Sequence, residues 1–328
     1  MAILQTHRLS IGYRLNKGDK ILASGLDLRL EQGSFVALLG PNGSGKSTLI
    51  KTLCSLLPPL SGEISIAGQK LHRMSKLERA RNIAVVLTDA VQTPGLSVYD
   101  MVSYGRFPHT NWLGKLHAED AKVIEQSLQS VGMQNFGSRE FLSLSDGEKQ
   151  RVMIAKALAQ QSDLMILDEP TAHLDLINRV EIMKLLRQLA HEQKRAILIS
   201  THELDLAMQS ADRLWLMNST ELVDGMPEEL ILNGAMQQVF ARSEVDFDHL
   251  TGMFRIRQDF DREIHFDCAD EQIHLWTERA LEKKGIRLVS NHNLSEKIVY
   301  SSENKQWVYT AKGQSRACAS LEDLVAVI

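Results

Sequence analysis

Two rhythms of apolar residues run along this chain, and one gives way to the other near residue 245. In the first part, short uninterrupted apolar runs recur: Phe35-Val36-Ala37-Leu38-Leu39, Leu164-Met165-Ile166-Leu167 and Ala196-Ile197-Leu198-Ile199-Ser200. Runs of this length without alternation predict parallel strands buried on both faces. Between the last two, Val180, Met183, Leu185, Leu186 and Leu189 recur at helical spacing, so a helix connects them. The pattern is that of an α/β core. Ahead of it, the positions around Leu9, Ile11 and Leu26-Asp27-Leu28-Arg29-Leu30 alternate with polar ones, as does Gly62-Glu63-Ile64-Ser65-Ile66-Ala67-Gly68, and both predict antiparallel strands. A strand over 83–87 and a mainly helical stretch from about 98 to 160 complete this part.

Beyond residue 245, Arg262-Glu263-Ile264-His265-Phe266-Asp267-Cys268 places Ile264, Phe266 and Cys268 on one face, the mark of a half-buried strand. A helix from Glu271 to Lys284 stops at Gly285, which supplies a left-handed cap. Strands follow at 286–289, 297–300 and 306–309, and a short helix closes the chain at 321–328. The reading is a large domain over 1–245, its helical part at about 90–160, and a small α+β domain over 246–328. In the small domain Trp276, Trp307 and Tyr309 are expected in the core. His249, His265, His274 and His292 lack metal-ligand spacing.

Composition narrows the function. A chain of 328 residues accommodates one large and one smaller domain. With 44% hydrophobic and 24% charged residues it has no disordered signature, and a net charge of −4 gives no footprint for nucleic acid. Cys54, Cys268 and Cys318 are scattered without metal or redox spacing, which suits a reducing compartment. No secretion signal and no run of about 18 apolar residues is present, so work at a membrane requires docking to another protein.

The chemistry begins at Gly40-Pro41-Asn42-Gly43-Ser44-Gly45-Lys46-Ser47-Thr48, which follows one predicted strand and leads into Leu49-Ile50-Lys51-Thr52-Leu53. Strand, glycine loop and helix in that order form a cradle for nucleotide phosphates. The glycines let successive N–H groups turn inward, Lys46 brings a point charge to the β/γ oxygens, and Ser47 offers a hydroxyl to Mg²⁺. The run ending in Asp168-Glu169 places two acids at a strand end. Asp168 suits Mg²⁺ held through water, and Glu169 suits polarisation of an attacking water.

Between these motifs lies Leu144-Ser145-Asp146-Gly147-Glu148-Lys149-Gln150-Arg151, leading into a helix. It resembles the signature of ABC-type ATPases, and the likeness extends over about residues 1–245. The resemblance implies a phosphate-loop ABC cassette with a RecA-like core, an antiparallel β subdomain and a helical subdomain. It also implies ATP and Mg²⁺, and a head-to-tail homodimer in which Ser145, Gly147 and Glu148 of one copy close on ATP bound by the other. By position, Tyr13 matches the aromatic that stacks on adenine, and Ala172-His173-Leu174-Asp175 the loop linking the two sites. His202 matches the switch histidine at the γ-phosphate. Lys46, Glu169 and His202 are thus the catalytic expectation.

Two departures stand out. Thr88-Asp89 occupies the place of the usual metal-touching glutamine, and Asp146 and Glu148 stand where Gly and Gln are common. Asp146 is expected to face away from the phosphate. The stretch Leu96 to His109, with Tyr99, Met101, Tyr104 and Phe107, is similar to ATPase subunits of bacterial importers for iron chelates, haem and cobalamin. That likeness implies permease subunits as partners, a periplasmic or lipoprotein binding protein indirectly, and a peripheral place on the cytoplasmic face of the inner membrane. Iron chelate is the first expected cargo and cobalamin the second. A soluble ABC ATPase of translation, DNA repair or regulation is the reading from a different class, and the single cassette with about 100 residues between loop and signature argues against it.

Overall fold

A five-residue run with no polar side chain leaves nothing to face water, and Phe35–Leu39 is accordingly a strand buried along its whole length. The computed structural model describes all residues except 17, 88–92, 112–113, 219–220, 241–244 and 249–251. In it this strand lies within a six-stranded sheet ordered Leu222–Gly225, Arg213–Met217, Phe35–Leu39, Ala196–Ser200, Leu164–Asp168, Ile83–Val86. The first pairing is antiparallel and the rest are parallel. Leu38 lies opposite Ser200, and Asp168 is level with Ser200 on the other side. Three adjacent strands therefore end together, so the loops after Leu39, Asp168 and Ser200 meet at one edge. Arg213–Met217, which the sequence reading did not pick out, flanks the central strand with Leu214 to Met217 fully buried.

The second layer is antiparallel. Its order is Gly18–Leu26, Ala2–Leu15, Ser61–Ile66, Gln69–Lys70, with Arg29–Glu31 also paired to Ala2–Leu15. Leu4, Ile11, Leu30 and Ile66 from this layer pack with Val36, Leu38, Leu198 and Trp215 of the large sheet. Leu49, Ile50 and Leu53 of the helix Lys46–Leu53 fill the same core, which fixes the phosphate-loop helix to both layers.

Helices Val98–Ser103, Ala118–Ser130 and Asp146–Ala159 make up the helical part, joined by the 3₁₀ turn Tyr104–His109. Arg106 pins that turn. Its Nε donates to Asp120 Oδ1 at 2.8 Å and its Nη1 to Ala159 O at 2.7 Å and Gln161 Oε1 at 2.8 Å. Met101 is buried, whereas Tyr104 and Phe107 stay exposed with ring centroids 5.1 Å apart.

The chain divides into two compact units, Met1–Ala241 with Phe247–Met253, and Arg242–Asp246 with Phe254–Ile328. The second unit holds a sheet ordered Ile286–Val289, Arg262–Asp267, Lys297–Ser301, Gln306–Ala311, Gln314–Cys318, with helices Glu271–Glu282 and Leu321–Val327. Ile264, Phe266, Leu281, Ile298, Trp307 and Tyr309 form its core. Trp307 Nε1 is satisfied by the buried Thr277 Oγ1 at 3.0 Å. Trp276 contradicts the expectation of burial and is 53% exposed, with the Arg279 guanidinium 5.0 Å over its ring. The inward stripe of that helix is Ile273, Thr277 and Leu281, and a residue one step from Thr277 is turned by about 100°. Among the described residues no helix is long and apolar enough to cross a membrane, and no group of three or more His, Cys, Asp or Glu could hold a metal. His249 lies outside the described residues.

Candidate nucleotide site

The loop between Leu39 and Lys46 is shaped by its glycines. A Cβ on Gly40 would lie 2.0 Å from Met217 O and 2.9 Å from Ser44 Oγ, so only glycine lets the loop pass this close to the neighbouring strand. Gly45, at φ 106, turns the chain into the helix Lys46–Leu53, whose start has no side-chain cap and no acid in its first turn. Uncapped N–H groups and the positive end of the helix dipole favour an anion here. The Ser44 hydroxyl is buried with no hydrogen-bond partner, a group that lacks the acceptor a phosphate oxygen would provide. Pro41, Asn42, Gly43 and Ser47 are partly or fully exposed along the same loop and first turn.

Lys46 is only 6% exposed. Its Nζ donates to Gly40 O at 2.7 Å and Pro41 O at 3.1 Å, so the ammonium is held inside the loop it would share with a nucleotide. Burial pushes its pKa down, and the carboxylates of Glu169 and Asp168 pull it back up.

The acids themselves are organised from the strand Ala196–Ser200. Ser200 Oγ donates to Asp168 Oδ1 at 2.5 Å and accepts from Glu169 N at 3.0 Å, orienting both residues through one hydroxyl. Glu169 is at φ 49, which turns it off the strand line, and its Oε1 lies 2.9 Å from His202 Nε2. Thr201 and His202 join Gly40, Pro41, Asn42, Leu204 and Phe240 around a cavity of about 210 Å³. A larger cleft of about 330 Å³ opens on the antiparallel sheet at Thr6, Asp27, Arg29 and Glu63. In its walls His7 Nδ1 lies 3.3 Å from Asp27 Oδ1, and Glu63 is taken up by Lys70 at 2.6 Å, with none of the loop's uncapped donors.

Tyr13 sits on Ala2–Leu15 and its hydroxyl shares a 2.9 Å hydrogen bond with Thr48 Oγ1, leaving the residue 42% exposed. The phosphate loop thus has an aromatic ring hinged to its helix. Thr88 and Asp89 lie outside the described residues.

The signature segment is built differently from the phosphate loop. Ser145 caps Asp146–Ala159, its Oγ accepting from Glu148 N at 3.3 Å, while the Glu148 carboxylate accepts from Ser145 N at 2.8 Å and Ser145 Oγ at 2.9 Å. Those donors hold the Glu148 carboxyl below the usual range. Asp146 points outward, 69% exposed and 3.5 Å from Lys149 Nζ. At Gly147 a Cβ would meet Asn178 Oδ1 at 2.6 Å, so the signature glycine lies against the first turn of Leu176–Glu192. Asp175 caps that helix, its Oδ1 accepting from Asn178 N at 2.8 Å. His173, in the loop before it, is at φ 64.

The structure therefore brings Lys46, Asp168, Glu169 and His202 to one edge of the large sheet, and places Gly147 and Asp175 at the start of Leu176–Glu192, with Ser145 two residues before Gly147. Sequence reading missed Ser200, Asn178 and Arg179. Ser200 could have been found as the one polar residue ending a buried run; the other two look like ordinary polar positions of a surface helix.

The ABC transporter family profile matches residues 23–172, and the profile described as Iron ABC transporter C-terminal domain matches residues 262–328. The iron(3+)-hydroxamate import ATP-binding protein FhuC of Bacillus subtilis is 38% identical over 73% of this chain and 88% of its own length. The cobalamin import ATP-binding protein BtuD of Halobacterium salinarum is 34% identical over 75% of this chain and 61% of its own. Among solved structures, cbiO1 of Clostridium perfringens, part of the ABC transporter complex cbiONQ, superposes with a TM-score of 0.63 at 30% identity, covering 74% of this chain and 96% of that one.

Proposed function

Because this chain belongs to the ABC transporter family of ATP-binding proteins, we propose that it is the ATPase subunit of an importer for a ferric chelate, acting as a homodimer bound to permease subunits at the cytoplasmic face of the inner membrane. The observation that carries the ATPase chemistry is the junction of an uncapped helix start and a buried Lys46 with Asp168, Glu169 and His202 at one sheet edge. The match of residues 262–328 to the iron transporter C-terminal domain favours iron as cargo. The BtuD relative keeps cobalamin as the second reading.

In this reading the loop N–H groups, Ser44 Oγ and Lys46 Nζ hold the β and γ phosphates, the lysine leaving the Gly40 and Pro41 carbonyls to do so. Tyr13 stacks on the adenine. Ser47 and Asp168 form an oxygen-only donor pair that fits Mg²⁺, a cation that takes few protein ligands and keeps phosphate and water for the rest. When bound, Mg²⁺ would neutralise charge on the phosphates. Glu169 accepts a proton from the attacking water, and His202, hydrogen-bonded to it, keeps the carboxylate aimed at the γ-phosphate side of the cavity.

Ser145 and Gly147 of the second copy close on the phosphates, with Asp175 at the link between sites. Glu148 contributes through Ser145, because its own carboxylate repels phosphate while its hydrogen bonds hold the serine hydroxyl and N–H in register. Switching a two-state pair of cassettes from 1:99 to 99:1 takes about 5.5 kcal/mol of differential binding. Several charge-assisted bonds of about 1.5–3 kcal/mol each suffice.

The test has two arms. Glu169→Gln in the full chain binds Mg-ATP but hydrolyses it at least about a hundredfold more slowly and accumulates as an ATP-bound dimer. Cells lacking the subunit lose uptake of labelled ferric chelate and keep uptake of labelled cobalamin. Normal turnover in the variant removes Glu169 as the base, and the opposite uptake result moves the cargo to cobalamin.

A further inference from the structure

Two neighbouring residues on the first turn of Leu176–Glu192 touch three separate pieces of the site. Asn178 packs its side-chain oxygen against the signature glycine Gly147 and gives its N–H to Asp175. Arg179 reaches the other way. Its Nε donates to Leu174 O at 2.7 Å, and its Nη1 donates to Glu203 Oε1 at 2.6 Å. Glu203 follows His202 directly and is fixed by its own N–H, which donates to Thr201 Oγ1 at 3.1 Å. His202 in turn contacts Glu169 at 2.9 Å. Arg179 and Glu203 are about one-third exposed, at 33% and 30%, so their pair is neither an open surface bridge nor a fully desolvated one.

The guanidinium fork is suited to this place, because its Nε and Nη1 are separate donors on one rigid plane, one for Leu174 O and one for Glu203 Oε1, where a lysine has a single nitrogen on a flexible stem. We propose that Arg179 and Glu203 form a positioning strut that ties the His202 segment to the 172–175 loop, so that a shift in the 172–175 loop is transmitted to the contact between His202 and Glu169. The inference rests on the ATPase dimer reading given above. In such a dimer the 172–175 loop and Ser145 of each copy face the other copy's nucleotide, so the strut makes hydrolysis at one site depend on closure at both. Neither residue touches nucleotide; each acts through His202.

ATP turnover by the full chain across ATP concentrations, with melting followed by circular dichroism, tests the strut. The wild type shows a Hill coefficient above one. Arg179→Ala and the isosteric Glu203→Gln each lower kcat by about tenfold, leave the ATP KM within about twofold, and bring the Hill coefficient to about one. Arg179→Lys, which can reach Glu203 or Leu174 O but not both, falls between. The double variant R179A/E203Q is no slower than the slower single one, as expected for residues acting through one connection. Unchanged kcat and Hill coefficient in both single variants, additive losses in the double, or a rise in KM with kcat preserved overturns the strut. Should Arg179→Ala fail to fold, Glu203→Gln and Arg179→Lys carry the same comparison. Absence of any ATP turnover by the wild type overturns the ATPase reading and the strut with it, whereas cooperative wild-type turnover that survives both substitutions overturns the strut alone.

Discussion

Replacing Lys46 by alanine separates the two things this ammonium does. Without nucleotide, the lysine makes charge-assisted bonds to Gly40 O and Pro41 O, each worth about 1.5–3 kcal/mol. Against them stands the cost of burying an ammonium, several kcal/mol before its partners compensate it. The two effects oppose each other, so Lys46→Ala shifts the nucleotide-free unfolding free energy by no more than about 2 kcal/mol. Toward ATP the lysine exchanges those carbonyl dipoles for a full phosphate charge. A cation at about 4 Å from a phosphate charge contributes about 4 kcal/mol at an effective dielectric constant near 20, and with part of this offset by the carbonyl bonds given up, Lys46→Ala raises Kd by at least about tenfold. Calorimetric titration with Mg-ATP measures the affinity, and urea melting of the same preparation measures the fold. Lys46→Arg keeps the charge, but a planar fork does not fit between two loop carbonyls, so it recovers only part of the affinity. An ATP Kd within about threefold of wild type, with the fold intact, would refute the placement of Lys46 in the phosphate cradle.

Cys54 ends the phosphate-loop helix, and burial, reinforced by the negative charge of Asp168, pushes its thiol from 9.0 up to about 12. The folded chain keeps this proton where the unfolded chain loses it. Its contribution is therefore complete below pH 9 and is lost as pH rises toward 12, by about 1.4 kcal/mol per pH unit. Urea melting of wild type and Cys54→Ala over pH 8–11 checks this; parallel curves would contradict it. Arg106→Ala leaves the Asp120 carboxylate buried without its partner and destabilises the cassette by about 3–5 kcal/mol in urea melting, whereas replacing both residues by apolar side chains of similar volume costs far less.

Much of the large unit could be read before any fold was known, for a reason visible in particular residues. Phe35 to Leu39, Leu164 to Leu167 and Ala196 to Ser200 have no polar side for solvent, so burial and parallel pairing are the only arrangement that suits them. In the second unit the alternation of Ile264 and Phe266 with polar neighbours marked the strand Arg262–Asp267, but His265 between them is buried too, because strands pair on both sides of it. Trp276 was misplaced because size and aromaticity suggest a core, whereas helix phase decides the side, and the phase of Glu271–Glu282 is set by Ile273, Thr277 and Leu281. Leu214-Trp215-Leu216-Met217 carries the same apolar signal, and what the structure adds is its parallel pairing with Phe35–Leu39.

The sequence by itself determined the local chemistry: a glycine loop entering a helix through Lys46 and Ser47, two acids at a strand end, and a serine that can cap a helix three residues ahead of Glu148. These are short-range patterns, and the geometry that each requires is nearly complete within ten residues. Only the tertiary structure decided which of them meet. The register of Phe35–Leu39, Ala196–Ser200 and Leu164–Asp168 brings Lys46, Asp168, Glu169 and His202 to one edge, with Ser200 orienting both acids. The bond from Arg179 to Glu203 and the seating of Gly147 on Asn178 join positions 24 and 31 apart. Such contacts follow from the packing of whole elements, and no local spacing encodes them.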